Sequence, residues 1–499
     1  MTIIERHAGF AAGACPGRPG RPGRPGHLAR IAAIALLAVA SLAAIGDARA
    51  ATIHIINENA PGVGFNDPTP ALPVGGNPGT TLGEQRLHAF RFAADVWASH
   101  LVSTVPIRIG AAFLPLDCNA TGAVLGAAGA YQVVANFPAA PINGTWYPTA
   151  LAGKLAGVDF AAPGDPHIIA RFNSRLGLFP DCVPGLTFYL GLDRKAGSQI
   201  DLVATLLHEI AHGLGFQTFT DDESGAFLLG RPSIWDFNLV DNRRERLWVM
   251  MSETERVASA TTWRGLSWNG WHVTRSTPSV LSPASVLTIG GENAGAASGE
   301  YAVGDASFGP PIRNAPVSAQ LMPVVDQLNG NGLACSPLSA ANALAVRGNI
   351  ALVDRGSCDY VVKARNVQAA GALGMIVADS AAGEVAGMPG LDASIAIPSA
   401  RITRADGWAL KLALQNRSSN RSGVVARLQS DPVRLAGTDA RRRMLMYTPG
   451  VNAPGSSVSH FTTEATRNLL MEPSINSDLR YVLMPPRDLT LPLLWDLGW

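Results

Sequence analysis

This 499-residue sequence has few charged residues and no strong excess of either sign. Charged residues make up only 15% of it, and 39 Lys and Arg against 38 Asp and Glu leave a formal net charge of +1. This balance gives no reason to expect nucleic acid or acidic surfaces as partners. Gly and Pro are plentiful instead, at 52 and 35 residues, which suits an extracellular protein with long loops. The length allows two or three domains.

Long apolar runs are also scarce. One such run, residues 31–45, follows Arg18, Arg21, Arg24 and Arg30 and precedes an Ala-Arg-Ala string at residues 48–50. It is too short for a convincing membrane span, and no later stretch of about twenty apolar residues occurs. The pattern predicts a signal peptide over residues 1–50. We therefore expect a secreted protein, extracellular or periplasmic, without a membrane anchor after cleavage.

Cysteine is the third scarce feature, with five residues in the chain. Cys15 would leave with the signal peptide, so an even set of four remains for an oxidising compartment. Three pairings of these four are possible. We expect Cys118 to pair with Cys182 and Cys335 with Cys358, because each bond then stays within one domain. Each closure would contribute about 3–4 kcal/mol.

The most informative string in the sequence is His-Glu-Ile-Ala-His at residues 208–212. Two histidines four apart lie on one face of a helix, so His208 and His212 can both reach a single zinc ion. Glu209 stands one step round the helix, where it can reach a metal-bound water without becoming a ligand. This is the general-base position of a zinc hydrolase.

The surrounding residues predict that this string lies on a buried helix. Residues 198–201 offer capping side chains, and an apolar periodic run follows them. We expect Gly213 and Gly215 to end the helix. The alternative is an amphipathic helix with two surface histidines and a salt-bridging glutamate, but unpaired polar groups on so apolar a helix would be costly.

A catalytic zinc takes three protein ligands, so a third must come from elsewhere. The string through Gly215 resembles the start of the metzincin signature, in which a glycine turns the chain and a third histidine follows three residues later. Thr218 stands at that position here. The gluzincin alternative needs Glu on a second helix with Asp four residues beyond it. The segment that follows offers three acids without that arrangement: Asp236, Asp241 and Glu245.

A better third ligand lies far along the chain. Residues 456–473 read Ser-Ser-Val-Ser-His-Phe-Thr-Thr-Glu-Ala-Thr-Arg-Asn-Leu-Leu-Met-Glu-Pro. This segment resembles the leishmanolysin-type metzincins, where an insertion separates the helix motif from a Ser-His segment and a Leu-Met-x-Pro turn. The resemblance implies that His460 is the third ligand and that Met471 lies beneath the metal. Residues 488–499 resemble the closing helix of that family.

The block between the two zinc-motif regions has a different character. Residues 348–379 read as a buried strand, a turn at Arg355-Gly356, a helix and a second buried strand. Residues 300–425 resemble the protease-associated domain, which occurs as a non-catalytic insert in secreted peptidases. The resemblance implies a role in substrate access or protein contacts. An ordinary inserted α/β domain without a special role stays open, because fold does not fix function.

The amino-terminal region should supply the sheet of the catalytic domain. Strands are predicted near residues 52–56, 107–110 and 167–172, with a helix over residues 82–100. We expect the strand over 167–172 to bind an extended substrate by main-chain hydrogen bonds, with residues 186–192 as the substitute. Five other histidines show no ligand spacing and are expected to be structural: His54, His88, His100, His167 and His272.

These observations together predict an α+β protein. A metzincin-like catalytic domain, with a mixed twisted sheet and an active-site helix, is interrupted by a small α/β protease-associated domain. The expected division is a signal peptide at 1–50, a catalytic segment at 51–279, the insert at 280–430 and a closing catalytic segment at 431–499. One catalytic Zn²⁺ is expected. Ca²⁺ is possible but not indicated by any motif, and the sequence does not disclose the oligomeric state.

The predicted function is that of a secreted zinc endopeptidase acting on peptides or proteins. Glu209 would remove a proton from the zinc-bound water and pass it to the leaving amine. Two alternatives from other classes remain. One is a non-catalytic secreted binding protein that acts through its protease-associated domain, and the other is a zinc hydrolase of non-peptide esters or amides.

Overall fold

The structure, a computed structural model, describes residues 50–120, 122–177, 179–383, 385, 387–476 and 478–499. The predicted signal peptide lies outside the described residues except for Ala50. Within the described ranges, no helix has both the length and the apolar character needed to cross a membrane.

The strands before the insert are mostly short. They are β1 Ile53–Asn57, β2 Ile107–Leu114, β3 Gly126–Ala130, β4 Val133–Val134, β5 Tyr147–Pro148, β6 Ile168–Asn173, β7 Phe188–Tyr189, β8 Ile200–Asp201, β9 Leu239–Asp241, β10 Arg246–Leu247 and β11 Leu266–Trp268. The main sheet has the order β1-β2-β6-β3. Strands β1, β2 and β6 run parallel, and β3 runs antiparallel to β6 along the outer edge.

Two helices of this region, Leu82–His100 and Leu202–Leu214, contact the main sheet and pack against each other. The helices of the region are α1 Leu82–His100, α2 Thr149–Ala156, α3 Leu202–Leu214, α4 Glu253–Ala260 and α5 Trp271–Val280. The predicted helix over 82–100 is confirmed, and Thr81 and Glu84 form a capping box at its start. The buried Trp97 of α1 donates from Nε1 to the carbonyl of Leu207 on α3 at 3.1 Å, which fixes α3 against α1.

The insert forms a separate eight-stranded sheet. Its strands are β12 Pro283–Gly290, β13 Gly299–Ala302, β14 Gly304–Asp305, β15 Val317–Pro323, β16 Ile350–Asp354, β17 Gly374–Ala378, β18 Ser399–Ile402 and β19 Val425–Leu435. Its helices are α6 Ala340–Val346, α7 Tyr360–Ala369 and α8 Arg404–Ala413. The strand order is β13-β12-β19-β15-β16-β17-β18-β14, with β15 to β18 parallel. The predicted strand–helix–strand pattern corresponds to β16, α7 and β17, the two strands being fully buried.

The two ends of the insert meet. Pro283 at the start of β12 pairs with Leu435 at the end of β19 in an antiparallel ladder. Beyond this point the chain returns to the region that precedes the insert, where Trp268 N donates to the carbonyl of Met444 at 2.7 Å. The last helix, α9 Thr490–Leu497, then packs on α5. Asp496 of α9 accepts a hydrogen bond from the Nε1 atom of Trp268.

The two predicted disulfides are present in the structure. Cys118 is bonded to Cys182 and Cys335 to Cys358. The first joins the loop before β3 to the loop after β6, and the second lies within the insert. Each bond therefore stabilises one unit by restricting its unfolded chain.

Candidate metal centre

The helix that carries the zinc motif is fixed at both ends. Asp201 caps its start, where a carboxylate oxygen accepts from Ala204 N at 3.1 Å. Gly215 ends it in a left-handed conformation with φ 120°, and its N–H reaches the carbonyls of Ala211 and His212. The expectation that Gly213 also ends the helix is wrong, because Gly213 lies inside α3.

Gly213 has a packing role instead. A Cβ atom at this position would lie 2.2 Å from Cγ2 of Ile168 on β6. The absence of a side chain therefore lets the helix approach the sheet closely. The helical turn that carries His212 therefore packs directly against β6.

Three imidazole nitrogens converge on one point. Nε2 of His212 lies 3.1 Å from Nε2 of His208 and 3.2 Å from Nε2 of His460. The distance between Nε2 of His460 and Nε2 of His208 is 3.2 Å, so the three atoms form a nearly equilateral triangle. All three residues are buried. Nitrogen ligands at about 2.0–2.1 Å from a tetrahedral zinc lie about 3.3 Å apart, so the triangle has the size that the ion requires. Among the described residues, these three form the one candidate metal cluster.

The other nitrogen of each ring contacts a backbone carbonyl. Nδ1 of His208 lies 2.7 Å from Leu470 O, Nδ1 of His212 lies 2.6 Å from Phe216 O, and Nδ1 of His460 lies 2.9 Å from Ser456 O. A carbonyl can only accept, so each Nδ1 carries the proton. In a neutral ring, Nε2 then presents its lone pair to the centre of the triangle, as metal ligation demands.

His460 reaches the site on the returning chain. Its carbonyl accepts from Tyr447 N at 2.8 Å, and the next residue, Phe461, donates its N–H to the carbonyl of Met471 at 2.8 Å. The ring of Phe461 packs edge-on against Phe216 at a centroid distance of 5.0 Å. Short pairings and aromatic packing thus bring a residue 248 positions from His212 onto the same point.

Met471 is fully buried in the turn that supports the site. The preceding residue, Leu470, offers its carbonyl to His208, and its N–H donates to the carboxylate of Asp488 at 2.8 Å. The main chain before Met471 is therefore held from both sides. The structure places the predicted methionine turn against the zinc-motif helix.

Glu209 is buried beside the outer strand of the sheet. A Cβ atom on Gly126 of β3 would lie 3.0 Å from both Cγ and Oε1 of Glu209. Glycine at position 126 thus leaves room for the carboxylate between α3 and β3. Glu209 follows His208 on α3, and its carboxylate is not part of the histidine cluster.

Thr218 has a structural role in the position where a metzincin histidine is expected. Its hydroxyl donates to the Asp236 carboxylate at 2.8 Å, and its N–H donates to the hydroxyl of Ser459 at 3.2 Å. Ser459 directly precedes His460. Thr218 therefore helps to position the third histidine through the backbone.

The three acidic candidates of the gluzincin alternative do not belong to the cluster. Asp236 is bound by Ser233 and Thr218, Asp241 accepts from the N–H of Arg244 at 2.6 Å, and Glu245 pairs with Arg443 at 3.2 Å. Burial raises the pKa of Asp236, while its hydrogen bonds oppose that shift. All three carboxylates stabilise loops.

Two buried carboxyls support the methionine turn. Burial raises the pKa of Glu472 well above its usual range, and the negative charges of Asp478 and Asp488 add to the shift. Burial also raises the pKa of Asp488. Glu472 accepts from Leu469 N at 2.7 Å and Asp488 from Leu470 N at 2.8 Å. The two groups hold consecutive backbone amides just before Met471.

The expected substrate strand is wrong. Residues 168–173 form β6, which is paired on both sides, with β2 and β3, so its main-chain groups are already used. The substitute segment contains only β7, which pairs with β8. The described sheet has two edge strands, β1 and β3, and β3 is the one that flanks α3 and Glu209.

The histidines without ligand spacing lie outside the cluster. His167 is buried and contacts Asp159 through Nε2 at 3.0 Å and the N–H of Arg108 through Nδ1 at 3.1 Å. His272 contacts Asp496 through Nδ1 at 2.9 Å. Both therefore join segments that lie far apart in the sequence.

The carbonyls of Phe216, Ser456 and Leu470 are functional groups that sequence reasoning missed. Every residue has a carbonyl, so no residue type marks these positions. Asp488 was likewise not identified as a support, because only the fold brings it to Leu470.

Comparison with known proteins identifies one region of the chain. Residues 317–410 match the PA domain family, so the insert contains the predicted protease-associated domain. The chain is 27% identical over 209 residues to the probable lipoprotein aminopeptidase LpqL of Mycobacterium tuberculosis, which is 39% of each chain. It is 30% identical over 115 residues to the minor extracellular protease Vpr of Bacillus subtilis, covering 22% of this chain and 14% of Vpr.

Solved structures give partial matches as well. A zinc aminopeptidase from Bacillus subtilis, BSAP, matches 32% of this chain and 35% of its own at 21% identity, with a TM-score of 0.20. An aminopeptidase from Aneurinibacillus sp. strain AM-1 matches 43% of this chain and 45% of its own at 16% identity, with a TM-score of 0.21. The chain thus spans less than half the length of each of these relatives and structures.

Proposed function

We propose that this protein is a secreted, zinc-dependent endopeptidase of the metzincin type with an inserted PA domain. The observation that carries the proposal is the triangle of Nε2 atoms from His208, His212 and His460, with each Nδ1 bound to a backbone carbonyl. Three histidines are the donor set of catalytic zinc sites, whereas structural zinc sites take four protein ligands.

Zinc, when bound, lowers the pKa of a coordinated water toward neutrality and polarises the scissile carbonyl. His208, His212 and His460 would hold the ion. The Glu209 carboxylate would accept the proton of the attacking water and return it to the leaving amine. Its burial between α3 and β3 restricts the motion of this proton acceptor.

We propose that substrate binds along β3. This strand runs antiparallel to β6 and has its other edge open within the described sheet. An extended peptide can add to such an edge through main-chain hydrogen bonds. Its residues are Gly and Ala only, so small side chains leave room for the peptide beside Glu209.

The comparisons support a peptidase over the other two classes. The PA domain accompanies the site, and the relatives LpqL and Vpr are named as an aminopeptidase and a protease. A hydrolase of non-peptide esters would not be expected from these names. A purely binding protein would have no use for a buried carboxylate beside three converging histidines.

Aminopeptidase activity is a second candidate function. It is favoured by the name of LpqL, with which this chain shares 27% identity over 209 residues. The open edge of β3 favours the endopeptidase, because a peptide can extend past the site in both directions. Peptides with acetylated N-termini separate the two, since only an endopeptidase cleaves them.

Casein hydrolysis with and without a chelator tests the function. We expect cleavage that is lost with a zinc chelator and restored by zinc. Absence of cleavage in the zinc-loaded protein would favour the binding protein. Cleavage of ester substrates alone would favour the non-peptide hydrolase.

A further inference from the structure

A surface pocket beside the methionine turn is lined by three arginines. Arg194, Arg480 and Arg487 surround a cavity of about 350 Å³, together with Tyr481 and Val482. The three arginines are exposed. In the described ranges, none of them takes part in an ion pair or a side-chain hydrogen bond. We refer to this feature as the arginine pocket.

Three carboxylates lie within two residues of these arginines in the sequence, those of Asp193, Asp478 and Asp488, and each is hydrogen-bonded to other groups. Asp193 accepts from the hydroxyl of Tyr189 at 2.6 Å and from Lys195 N at 3.1 Å. Asp478 accepts from the side-chain amide of Asn468 at 2.7 Å. The three guanidinium groups therefore leave a positive charge that faces solvent.

Further arginines strengthen this charge. The pKa of Arg467 is lowered by burial first and then by the positive charges of Arg487, Arg313 and Arg480, while the negative charge of Asp478 opposes the shift. Arg467 lies between His460 and Met471 in the sequence. The positive region thus extends from the arginine pocket along the segment that carries the third histidine.

The pocket is joined to the start of the zinc-motif helix. The hydroxyl of Tyr481, which lines the pocket, donates to the carboxylate of Asp201 at 2.7 Å. Asp201 caps α3. A helix rises about 1.5 Å per residue, so Asp201 lies about 10 Å along the axis from His208. That span corresponds to about three residues of extended peptide.

A second connection runs through the methionine turn. Arg487 is followed by Asp488, whose carboxylate accepts from Leu470 N at 2.8 Å. The Leu470 carbonyl in turn accepts from Nδ1 of His208 at 2.7 Å. Arg487 is therefore connected through Asp488 and Leu470 to His208, a proposed zinc ligand.

Guanidinium groups match carboxylates because their planar N–H donors can form paired hydrogen bonds. Gathering three of them without a partner costs electrostatic energy, which an anion offsets. We propose that the arginine pocket binds an acidic side chain of the peptide substrate, about three residues from the scissile bond. This inference rests on the proposed peptidase function and adds a substrate class to it.

Paired peptides test the proposal. Each pair carries Glu or Gln at one position two to four residues from the cleaved bond, on either side, with both termini blocked. We expect a higher kcat/KM for the Glu member at one position. The variant Arg480→Gln/Arg487→Gln should reduce that preference by about two- to fivefold per arginine, as expected for exposed charge pairs. Its kcat/KM on the Gln peptides should fall by less than its kcat/KM on the Glu peptides.

A matched control comes from the insert. The variant Arg404→Gln/Arg427→Gln removes the same charge from exposed positions of α8 and β19, and it should keep the preference for Glu. Equal loss in both double variants would overturn the proposal, because it would reflect net charge alone. Equal cleavage of Glu and Gln peptides at all positions by the parent would also overturn it.

A binding measurement separates this proposal from the peptidase function. Fluorescence anisotropy with a labelled Glu peptide and its Gln partner can be done in Glu209→Gln, where turnover is not needed. Tighter binding of the Glu peptide, lost in the added Arg480→Gln/Arg487→Gln change, supports the arginine pocket even if no peptide is cleaved. If the protein instead binds peptides with a free C-terminus more tightly than blocked ones and does not distinguish Glu from Gln, the pocket binds the terminal carboxylate. That result would overturn the assignment to an acidic side chain.

Discussion

Nδ1 of His208 donates a hydrogen bond of 2.7 Å to the carbonyl of Leu470, 262 residues away in the sequence. This bond connects the zinc-motif helix to the turn that contains Met471. It orients the imidazole and fixes which nitrogen faces the other two histidines. The insert lies between the two residues in sequence, so the metal centre depends on the return of the chain after it.

Replacing Glu209 by Gln should leave zinc bound and remove most activity. The amide has nearly the same size as the carboxylate but cannot accept the proton of the attacking water. We expect peptide turnover to fall by about 10²–10⁴-fold or more, with unchanged zinc content. Atomic absorption and peptide hydrolysis check this together. Near-normal turnover would refute the role given to Glu209.

Replacing His460 by Ala should weaken zinc binding and abolish activity. Only two of the three converging nitrogens would remain, so the ion would lack one of its three protein ligands. Metal content after dialysis against a weak chelator measures the effect. Zinc retained at the parental level would show that another group is the third ligand.

Thr218→Ala is the matched control for that variant, because Thr218 stands at the usual metzincin ligand position. We expect zinc content to stay unchanged. The free energy of unfolding should fall by about 1–3 kcal/mol, because the buried Asp236 carboxylate loses a hydrogen bond. Denaturant unfolding measures the cost. Loss of zinc in a folded Thr218→Ala protein would contradict the structural role of Thr218.

Replacing the insert by a linker should preserve the metal centre. Pro283 and Leu435 are paired across two antiparallel strands, where opposite Cα atoms lie about 5 Å apart. A short Gly/Ser linker in place of residues 284–434 can therefore span the junction. We expect the excised protein to bind zinc and to cleave short peptides about as well as the parent.

The rate on folded protein substrates should change on excision. The insert touches the segment between His460 and Met471, where the hydroxyl of Thr466 lies 3.3 Å from the Asp305 carboxylate. An insert in this position is near enough to restrict bulky substrates. If a soluble, folded excised protein loses zinc and short-peptide cleavage, the insert is integral to the catalytic domain.

Stability should depend on the protonation of Glu472. Burial raises its pKa in the folded protein, whereas the unfolded value is about 4.3. The folded state thus retains a proton that the unfolded state releases, so this group's contribution to stability is full below about pH 4.3 and declines as pH rises toward the folded pKa. Glu472→Gln cannot lose a proton and should lack this decline.

Thermal unfolding of parent and Glu472→Gln across about pH 4 to 8 measures the effect. The Tm of the variant relative to the parent should increase as pH rises from about 4.3. Zinc binding depends on pH in both proteins, so the comparison removes that contribution. A constant Tm difference over the range would show that the folded protein does not shift the pKa of Glu472.

Local signals in the sequence predicted the helices well. Leu82–His100 combines an N-terminal capping box with apolar spacing, and both act within a few residues. The zinc-motif helix was predicted for the same reason. Gly213 was misassigned because its role depends on Ile168 of a distant strand.

The substrate strand could not be predicted from local sequence. Gly126–Ala130 has only Gly and Ala, which have low strand propensity, so nothing marks it as an edge strand. Residues 168–173 are rich in β-formers, and that richness reflects a central strand. His460 was found through its resemblance to a family, since no periodicity connects it with His212.

Zinc K-edge X-ray absorption of the zinc-loaded protein tests the proposed metal centre most directly. We expect one zinc per chain, with three histidine nitrogens and one oxygen at about 2.0–2.1 Å. We also expect one histidine to be lost from the zinc coordination in His460→Ala. A site with two histidines in the parent, or one that keeps its three histidines in His460→Ala, would contradict the assignment of His208, His212 and His460 as the ligands.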